Sequence, residues 1–209
     1  MYLYRAVLNT RCKEVRRDIS DAYQMHSTLC RIFSEPTKRC QPGTILWRLE
    51  PENIYEENPM ILVVGSELAN WQRLGVSNWL DSPPDGPISL REKFGNSCYT
   101  NGSTLRFRIK ANPSCCTDGK RHALRTPEKQ ADWMNRQAEK WGFEVISQLI
   151  SHQSDIKGGT RTGNQIVVFS ALYDGILRVR NRERLVEAML HGIGHGKALG
   201  LGLLTAAPL

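Results

Sequence analysis

The chain has 209 residues, room for one large domain or two small ones, and its 40% hydrophobic content supplies an ordinary core. Lys and Arg number 28 against 21 Asp and Glu, a formal net charge of +7. Residues 1–90 hold 10 basic and 11 acidic side chains, residues 91–209 hold 18 and 10, so the excess belongs to one half. Segregated charge of this kind is the footprint of a nucleic acid or an anionic surface rather than a general solubility device. No stretch is apolar for long enough to span a bilayer, and Met1-Tyr2-Leu3-Tyr4-Arg5 lacks the apolar region of a signal peptide. A cytoplasmic protein with six reduced cysteines is therefore expected, with no membrane partner. None is spaced C-x-x-C, and the adjacent Cys115 and Cys116 are poor joint ligands with His122 for tetrahedral zinc. No metal and no cofactor is expected.

Tyr2 to Leu8 alternates and reads as a strand. Arg11, Lys13, Arg16 and Arg17 follow and read as a basic turn. Ser20 or Asp21 then caps a helix to about Phe33, ended by Glu35-Pro36. Its Tyr23, His26 and Cys30 share one face at i, i+3 and i+7, while Met25, Leu29 and Ile32/Phe33 form the apolar one. Strands over Gly43–Leu49 and Pro59–Val64, joined by an acidic loop around Glu56-Glu57, lead to a short helix over Glu67–Leu74. This β-α-β-β-α order is most of a ferredoxin-like unit. Asp81-Ser82-Pro83-Pro84-Asp85-Gly86-Pro87 is the clearest linker and lies near the change in charge sign, which sets domains at 1–88 and 89–209.

In the second half, Leu105, Phe107 and Ile109 alternate with Arg106, Arg108 and Lys110, so the apolar set faces a core and the cations face out. A turn over Pro113–Gly119 and a return through Lys120, Arg121 and Arg125 complete a basic hairpin. Thr126-Pro127 opens a helix that Gly142 ends, with Ala131, Met134, Ala138 and Trp141 as its apolar face. Phe143–Ile150 reads as a strand and Ser151–Gly163 as a polar loop carrying Lys157 and Arg161. Gln165–Arg180 is apolar and broken by a turn at Asp174-Gly175. Asn181 caps a helix containing Leu185, Val186, Met189 and Leu190, and a last strand is expected over Ala198–Thr205. This half again reads roughly β-α-β-β-α-β, so the fold class is α+β with two ferredoxin-like units.

Between the last helix and that strand, five glycines fall in eleven residues from Gly192 to Gly202. Glycines at 192, 194 and 196 permit positive φ and close backbone approach, and successive free N–H groups there form an anion-binding concavity next to Lys197. The run is not a P-loop, because His191 and Ala198 stand where Gly and Ser/Thr are required. Nor is it a dinucleotide fingerprint, because Lys197 stands where the third glycine would. Two readings remain compatible: a glycine-rich turn feeding a buried strand, and a phosphate contact.

RNA fits the charge and the fold class. Aromatics are only 8% of the chain and form no stacking run, which favours recognition of a hairpin by shape and charge over stacking of single-stranded bases. Arg106, Arg108 and Lys110 are then phosphate contacts; otherwise they are a solvated sheet face. RNA also carries its own nucleophile, the 2′-OH. A protein that cleaves it has to align that hydroxyl, exchange protons with it and with the 5′-oxygen, and stabilise the phosphorane. One histidine serves the proton transfers, a tyrosine one helical turn away orients or donates, and a lysine with loop N–H groups holds the phosphate. His26, Tyr23 and the Gly192–Lys197 loop supply that set if the first helix lies near the loop. Otherwise His26 is an ordinary helix-surface histidine.

Several segments resemble one family. Arg16-Arg17-Asp18-Ile19-Ser20-Asp21-Ala22-Tyr23-Gln24-Met25-His26-Ser27-Thr28-Leu29 is similar to the first helix of the CasE (Cse3) endoribonucleases, which process CRISPR repeats in type I-E Cascade. Leu46-Trp47-Arg48-Leu49-Glu50, the run from Leu105 to Pro113, Gly119-Lys120-Arg121 and the terminal Gly196–Leu204 run resemble the same family in the same order. The resemblance implies two tandem ferredoxin-like (RRM-like) domains. It implies metal-independent cleavage at the base of the repeat hairpin, leaving a 2′,3′-cyclic phosphate, with the crRNA kept bound in Cascade. By position, His26 is the general acid/base and Tyr23 its partner. The expected RNA contacts are Arg106, Arg108, Lys110, Lys120, Arg121, Arg125, Lys157, Arg161, Gly192, Gly194, Gly196 and Lys197. The family can carry a basic residue directly after the histidine, where this chain has Ser27. Another cation, Arg31, Lys157 or Arg161, would take that place. A hairpin-RNA-binding subunit without cleavage is the competing reading, and the presence of both Tyr23 and His26 favours the enzyme.

Overall fold

The computed structural model describes residues 1–34, 43–51, 58–95, 97–159 and 165–209. The chain divides into two compact units. The first comprises Met1–Lys93, Lys157–Val167 and Lys197–Gly200; the second comprises Phe94–Ile156, Val168–Gly196 and Leu201–Leu209. The acidic loop expected around Glu56-Glu57, Arg161, and the end of the helix at Glu35-Pro36 lie outside the described residues.

In the first unit the elements run β1 (Tyr2–Val7), α1 (Lys13–Ser20), α2 (Ala22–Phe33), β2 (Ile45–Leu49), β3 (Met60–Gly65), a single 3₁₀ turn (Trp71–Leu74) and β4 (Asp85–Ser89). The antiparallel sheet has the order β2-β3-β1-β4, which is the ferredoxin-like arrangement. Register places Tyr4 opposite Val63 and Ala6 opposite Ile61, and those four side chains are buried on one face. Met25, Leu29 and Ile32 of α2 are buried as well, so the helix is fixed by its apolar stripe. Phe33 at its end packs over Gly65, where an added Cβ would overlap the ring.

Three expectations change here. Of the cations expected in a basic turn, Arg11 lies in one, but Lys13, Arg16 and Arg17 do not, because Lys13–Ser20 is helical and buries Val15 and Asp18. Trp79 Nε1 donates to the buried Asp18 carboxylate at 3.0 Å, which ties α1 to a residue far along the chain. The helix expected over Glu67–Leu74 is reduced to the one 3₁₀ turn. The expected linker contains β4, which pairs with β1 as an edge strand.

The second unit contains β5 (Thr104–Ala111), β6 (Ser114–Thr117), β7 (Lys120–Ala123), α4 (Pro127–Lys140), most of β8 (Phe143–Gly159) and β9 (Gln165–Val179), α5 (Arg182–His191) and β10 (Thr205–Pro208). A six-residue helix, α3 (Leu90–Gly95), leads into it. Its sheet order, β10-β5-β9-β8, repeats the ferredoxin-like pattern, with the β6–β7 hairpin inserted before α4 as a separate two-stranded sheet. Leu105, Phe107 and Ile109 are buried as the alternation requires. Trp133 of α4 lies 6.0 Å from the Tyr173 ring, and the Tyr173 hydroxyl donates to Gln130 O, which docks the helix on β9.

The basic hairpin is therefore β6–β7 and not the return of β5, whose partners are β9 and β10. Ser151–Gly159 continues β8 instead of forming a loop. Asp174-Gly175 lies inside β9, opposite Arg108 and Phe107. The last strand is Thr205–Pro208; the expected strand from Ala198 begins instead with a 3₁₀ turn over Lys197–Leu199. The buried face of α4 is Gln130, Trp133, Met134 and Ala138, without Ala131 or Trp141.

Candidate active site

Asp21 caps α2, its Oδ1 accepting the N–H groups of Tyr23 at 2.9 Å and Gln24 at 3.3 Å. Those first-turn donors have no partner inside the helix, so the cap fixes the turn that carries Tyr23. The same carboxylate accepts the Gly159 N–H, at 3.2 Å to Oδ2. One aspartate thus ties the end of β8 to the start of the helix. Gly158 lies against it: a Cβ there would stand 3.4 Å from Tyr23 Cβ and 3.0 Å from Leu199 Cδ2. The glycine lets three segments meet, and it carries the exposed Lys157 beside α2.

The 3₁₀ turn Lys197–Leu199 packs on both α2 and β2, with Leu199 buried. Gly200 ends it at φ +76°, and an added Cβ would come 2.6 Å from the Trp47 ring. Any larger residue would strain the backbone and push the turn, with Lys197, off the helix. The sequence reading requires the first helix to lie near the Gly192–Lys197 loop; of that loop, Lys197 belongs to this unit, in the turn that packs on α2.

Tyr23 and His26 are half-buried on the α2 face away from Met25, Leu29 and Ile32, and Ser27 is exposed. His26 Nε2 lies 3.6 Å from Cys30 Sγ, one turn further along the helix. Its Nδ1 is buried and has no hydrogen-bond partner among the described residues. Burial disfavours the charged ring and pushes the pKa of His26 below its ordinary value of 6.5. The imidazole is therefore neutral at pH 7 and ready to accept a proton. The second-order rate of RNA cleavage, which reports the free enzyme, should stay flat near neutrality and fall on the acid side with a midpoint below 6.5. A cleavage profile with its acid midpoint above that value would contradict the burial argument.

The glycine loop differs from the expected row of open donors. Glycines 192, 194, 196, 200 and 202 all have positive φ. However, the N–H groups of Gly192, Ile193, Gly200, Leu201 and Gly202 donate to backbone carbonyls, Gly202 to Lys110 O at 2.7 Å. Among the described residues, those of Gly194 and Gly196 donate to no backbone carbonyl. The loop first splices its own backbone together, and its anion-binding capacity is narrower than the glycine count suggests.

In the second unit Arg106, Arg108 and Lys110 share the outward face of β5, opposite the buried set. Arg108 is engaged there, its Nε 2.6 Å from Asp174 Oδ1 across the strands, and Arg106 Nε donates to Pro208 O. Lys120 and Arg121 are exposed on β7, where Arg121 reaches Ser114 Oγ at 3.4 Å. Arg125 pairs with Asp155 and lies 4.6 Å over the Phe169 ring. The sequence missed the double duty of Asp21 and the approach of Gly158. A capping residue and an isolated Gly-Gly pair carry no mark of the segment they will meet.

Residues 1–208 match the family model described as CRISPR associated protein. The chain belongs to that family. It is 33% identical over 221 aligned positions, covering 100% of both chains, to the CRISPR-associated endoribonuclease Cse3 of Thermus thermophilus. It also resembles a solved structure of Cse3 bound to a 19-nucleotide RNA, with a TM-score of 0.83, 32% identity and 100% of both chains covered. A Thermus thermophilus Cse3 bound to an RNA representing a pre-cleavage complex aligns equally well, with a TM-score of 0.83, 32% identity and coverage of 99% of this chain and 98% of that one. Membership in the CasE (Cse3) family and the tandem ferredoxin-like fold thus stand on the whole length of the chain.

Proposed function

We propose that this protein is a CRISPR endoribonuclease that cuts precursor RNA at the base of the repeat hairpin and keeps the product as a Cascade subunit. The observation that carries the reading is the full-length likeness to an endoribonuclease, Cse3, in a chain that holds Tyr23 and His26 together on a capped, buried-on-one-side helix. In the reaction, His26 takes the proton of the 2′-OH as that oxygen attacks the adjacent phosphorus. The bond to the 5′-oxygen then breaks and that oxygen receives a proton, leaving a 2′,3′-cyclic phosphate and a 5′-hydroxyl. Tyr23, one turn before His26, orients the reacting group, and Lys157 and Lys197 flank the helix as cations for the phosphorane charge. Single-turnover cleavage of a repeat hairpin RNA tests this, and tight binding with no cut would leave the binding-subunit reading in its place.

The described residues contain no helix long and apolar enough to cross a membrane. The compartment of this reading is a reducing cytoplasm, in which the cysteines stay thiols.

Lys120 and Arg121 on the exposed β7 are the best-placed hairpin contacts of the second unit, while Arg108 is partly neutralised by Asp174. Replacing both Lys120 and Arg121 with alanine should weaken binding and flatten the slope of log K against log salt by about one per lost phosphate contact. The same exchange of Arg106 and Lys110 tests the β5 face. An unchanged slope in either pair would assign that pair to solvent.

A further inference from the structure

Gln130 of α4 is a polar residue in an apolar stripe. It shares the buried face of the helix with Trp133, Met134 and Ala138 and is itself fully buried. Its backbone is a fixed point of the second unit. The N–H donates to Thr126 O at 3.0 Å, and the carbonyl accepts the Tyr173 hydroxyl of β9 at 3.3 Å. From that point the side-chain amide reaches two further elements. Nε2 donates to Leu124 O at 3.1 Å, just after β7, and to Gln153 Oε1 of β8 at 3.0 Å. Oε1 is buried and has no partner among the described residues.

A buried acceptor without a partner is unfavourable, and a methionine would fill the same length of stripe without one. Packing therefore does not account for the glutamine; its bond to Leu124 does. The Leu124 N–H closes the base of the β6–β7 hairpin on Pro113 O at 2.9 Å. That hairpin is a separate two-stranded sheet of four residues a strand, and every residue of β7 is exposed. Two strands of that length are marginal alone and take their orientation from what holds their base. On the β6 side the buried Asn112 holds it, Nδ2 donating to Phe169 O at 2.7 Å. On the β7 side Gln130 does. We propose that Gln130 is a positioning residue for RNA binding, which fixes the base of the β6–β7 hairpin so that Lys120 and Arg121 stand where the RNA meets them. Being buried, it does not touch the RNA itself. The inference rests on the reading of Lys120 and Arg121 as RNA contacts.

When the hairpin is held in its binding position for a smaller fraction of the time, apparent affinity falls by that fraction. Gln130→Met keeps the length of the side chain and removes the amide. The groups it releases can turn to water, Gln153 being exposed and Leu124 half-buried. The variant is expected to bind hairpin RNA roughly three- to ten-fold more weakly, the range that one lost hydrogen bond supports. The loss should fall on binding and not on the single-turnover rate at saturating RNA. The decisive readout is a cycle with the Lys120→Ala/Arg121→Ala pair. Action through the hairpin means that Gln130→Met adds nothing in that background, whereas an independent structural role makes the two losses multiply. Gln153→Ala, at an exposed position, should give a smaller loss of the same kind, and it carries the cycle if Gln130→Met does not fold. Wild-type affinity in the folded variant, a saturating rate that falls with the affinity, or losses that multiply would overturn the proposal. The parent reading fails separately: if the Lys120→Ala/Arg121→Ala pair itself binds like wild type, the hairpin is no RNA contact and the role of Gln130 goes with it. A weakened pair beside an unresponsive Gln130→Met removes the positioning role alone.

Discussion

His26→Ala is expected to slow hairpin cleavage by roughly 10²–10⁴-fold, the usual contribution of one positioned acid/base, while RNA affinity stays within several-fold. The separation follows from where the residue lies. His26 is half-buried beside the Met25, Leu29 and Ile32 stripe of α2 and not part of it, so truncating it leaves the stripe that fixes the helix intact. It also carries no charge at neutral pH, because burial pushes its pKa below 6.5, so no phosphate contact is lost with it. Tyr23→Phe keeps the Cβ that Gly158 approaches and removes only the hydroxyl, and should cost less. A His26→Ala protein that cuts at the wild-type rate would return His26 to the role of a surface histidine, and a variant that no longer binds the hairpin would point to damage of α2 itself.

The α2 face that carries Tyr23 and His26 was legible because its placement depends only on local rules. Asp21 as cap and Met25, Leu29 and Ile32 as stripe put Tyr23 and His26 on the other side by helical geometry. The alternation in β5 was legible for the same reason. The misread segments are those where a distant partner decides. Gly175 looked like half of a turn signal. In the sheet a Cβ at that position would overlap the Ser147 carbonyl oxygen and approach the Phe107 ring, so the glycine answers a close approach between strands. The Pro-rich run at 81–87 has the composition of a linker, yet β4 is an edge strand, where a proline such as Pro87 is tolerated. Residues 151–159 are polar because β8 is also an edge strand, and polarity hid the strand. The terminal leucines are buried as expected, but Gly200 and Gly202 at positive φ keep Leu201, Leu203 and Leu204 out of a regular strand.

A hairpin RNA carrying 2′-deoxy at the nucleotide 5′ to the scissile phosphate is expected to bind normally and not be cut, and the all-ribo hairpin to be cut fully in excess EDTA. Both outcomes follow from assigning the nucleophile to the RNA. With the 2′-oxygen gone, no oxygen stands in line with the leaving 5′-oxygen, and a well-placed His26 has no proton to take. Binding survives because one hydroxyl adds little to a contact made mostly through phosphates. On the proposed assignment EDTA is without effect, because the proton transfers are given to His26 and the phosphorane charge to cations beside α2, Lys157 and Lys197. The two arms fail differently. Cleavage of the deoxy hairpin would mean that water attacks, as in a two-metal nuclease, and the roles of Tyr23 and His26 would fall with the RNA partner intact. Loss of ribo-hairpin cleavage in EDTA, with the deoxy hairpin still uncut, would keep the 2′-OH as nucleophile and transfer the charge stabilisation from the two lysines to a metal ion.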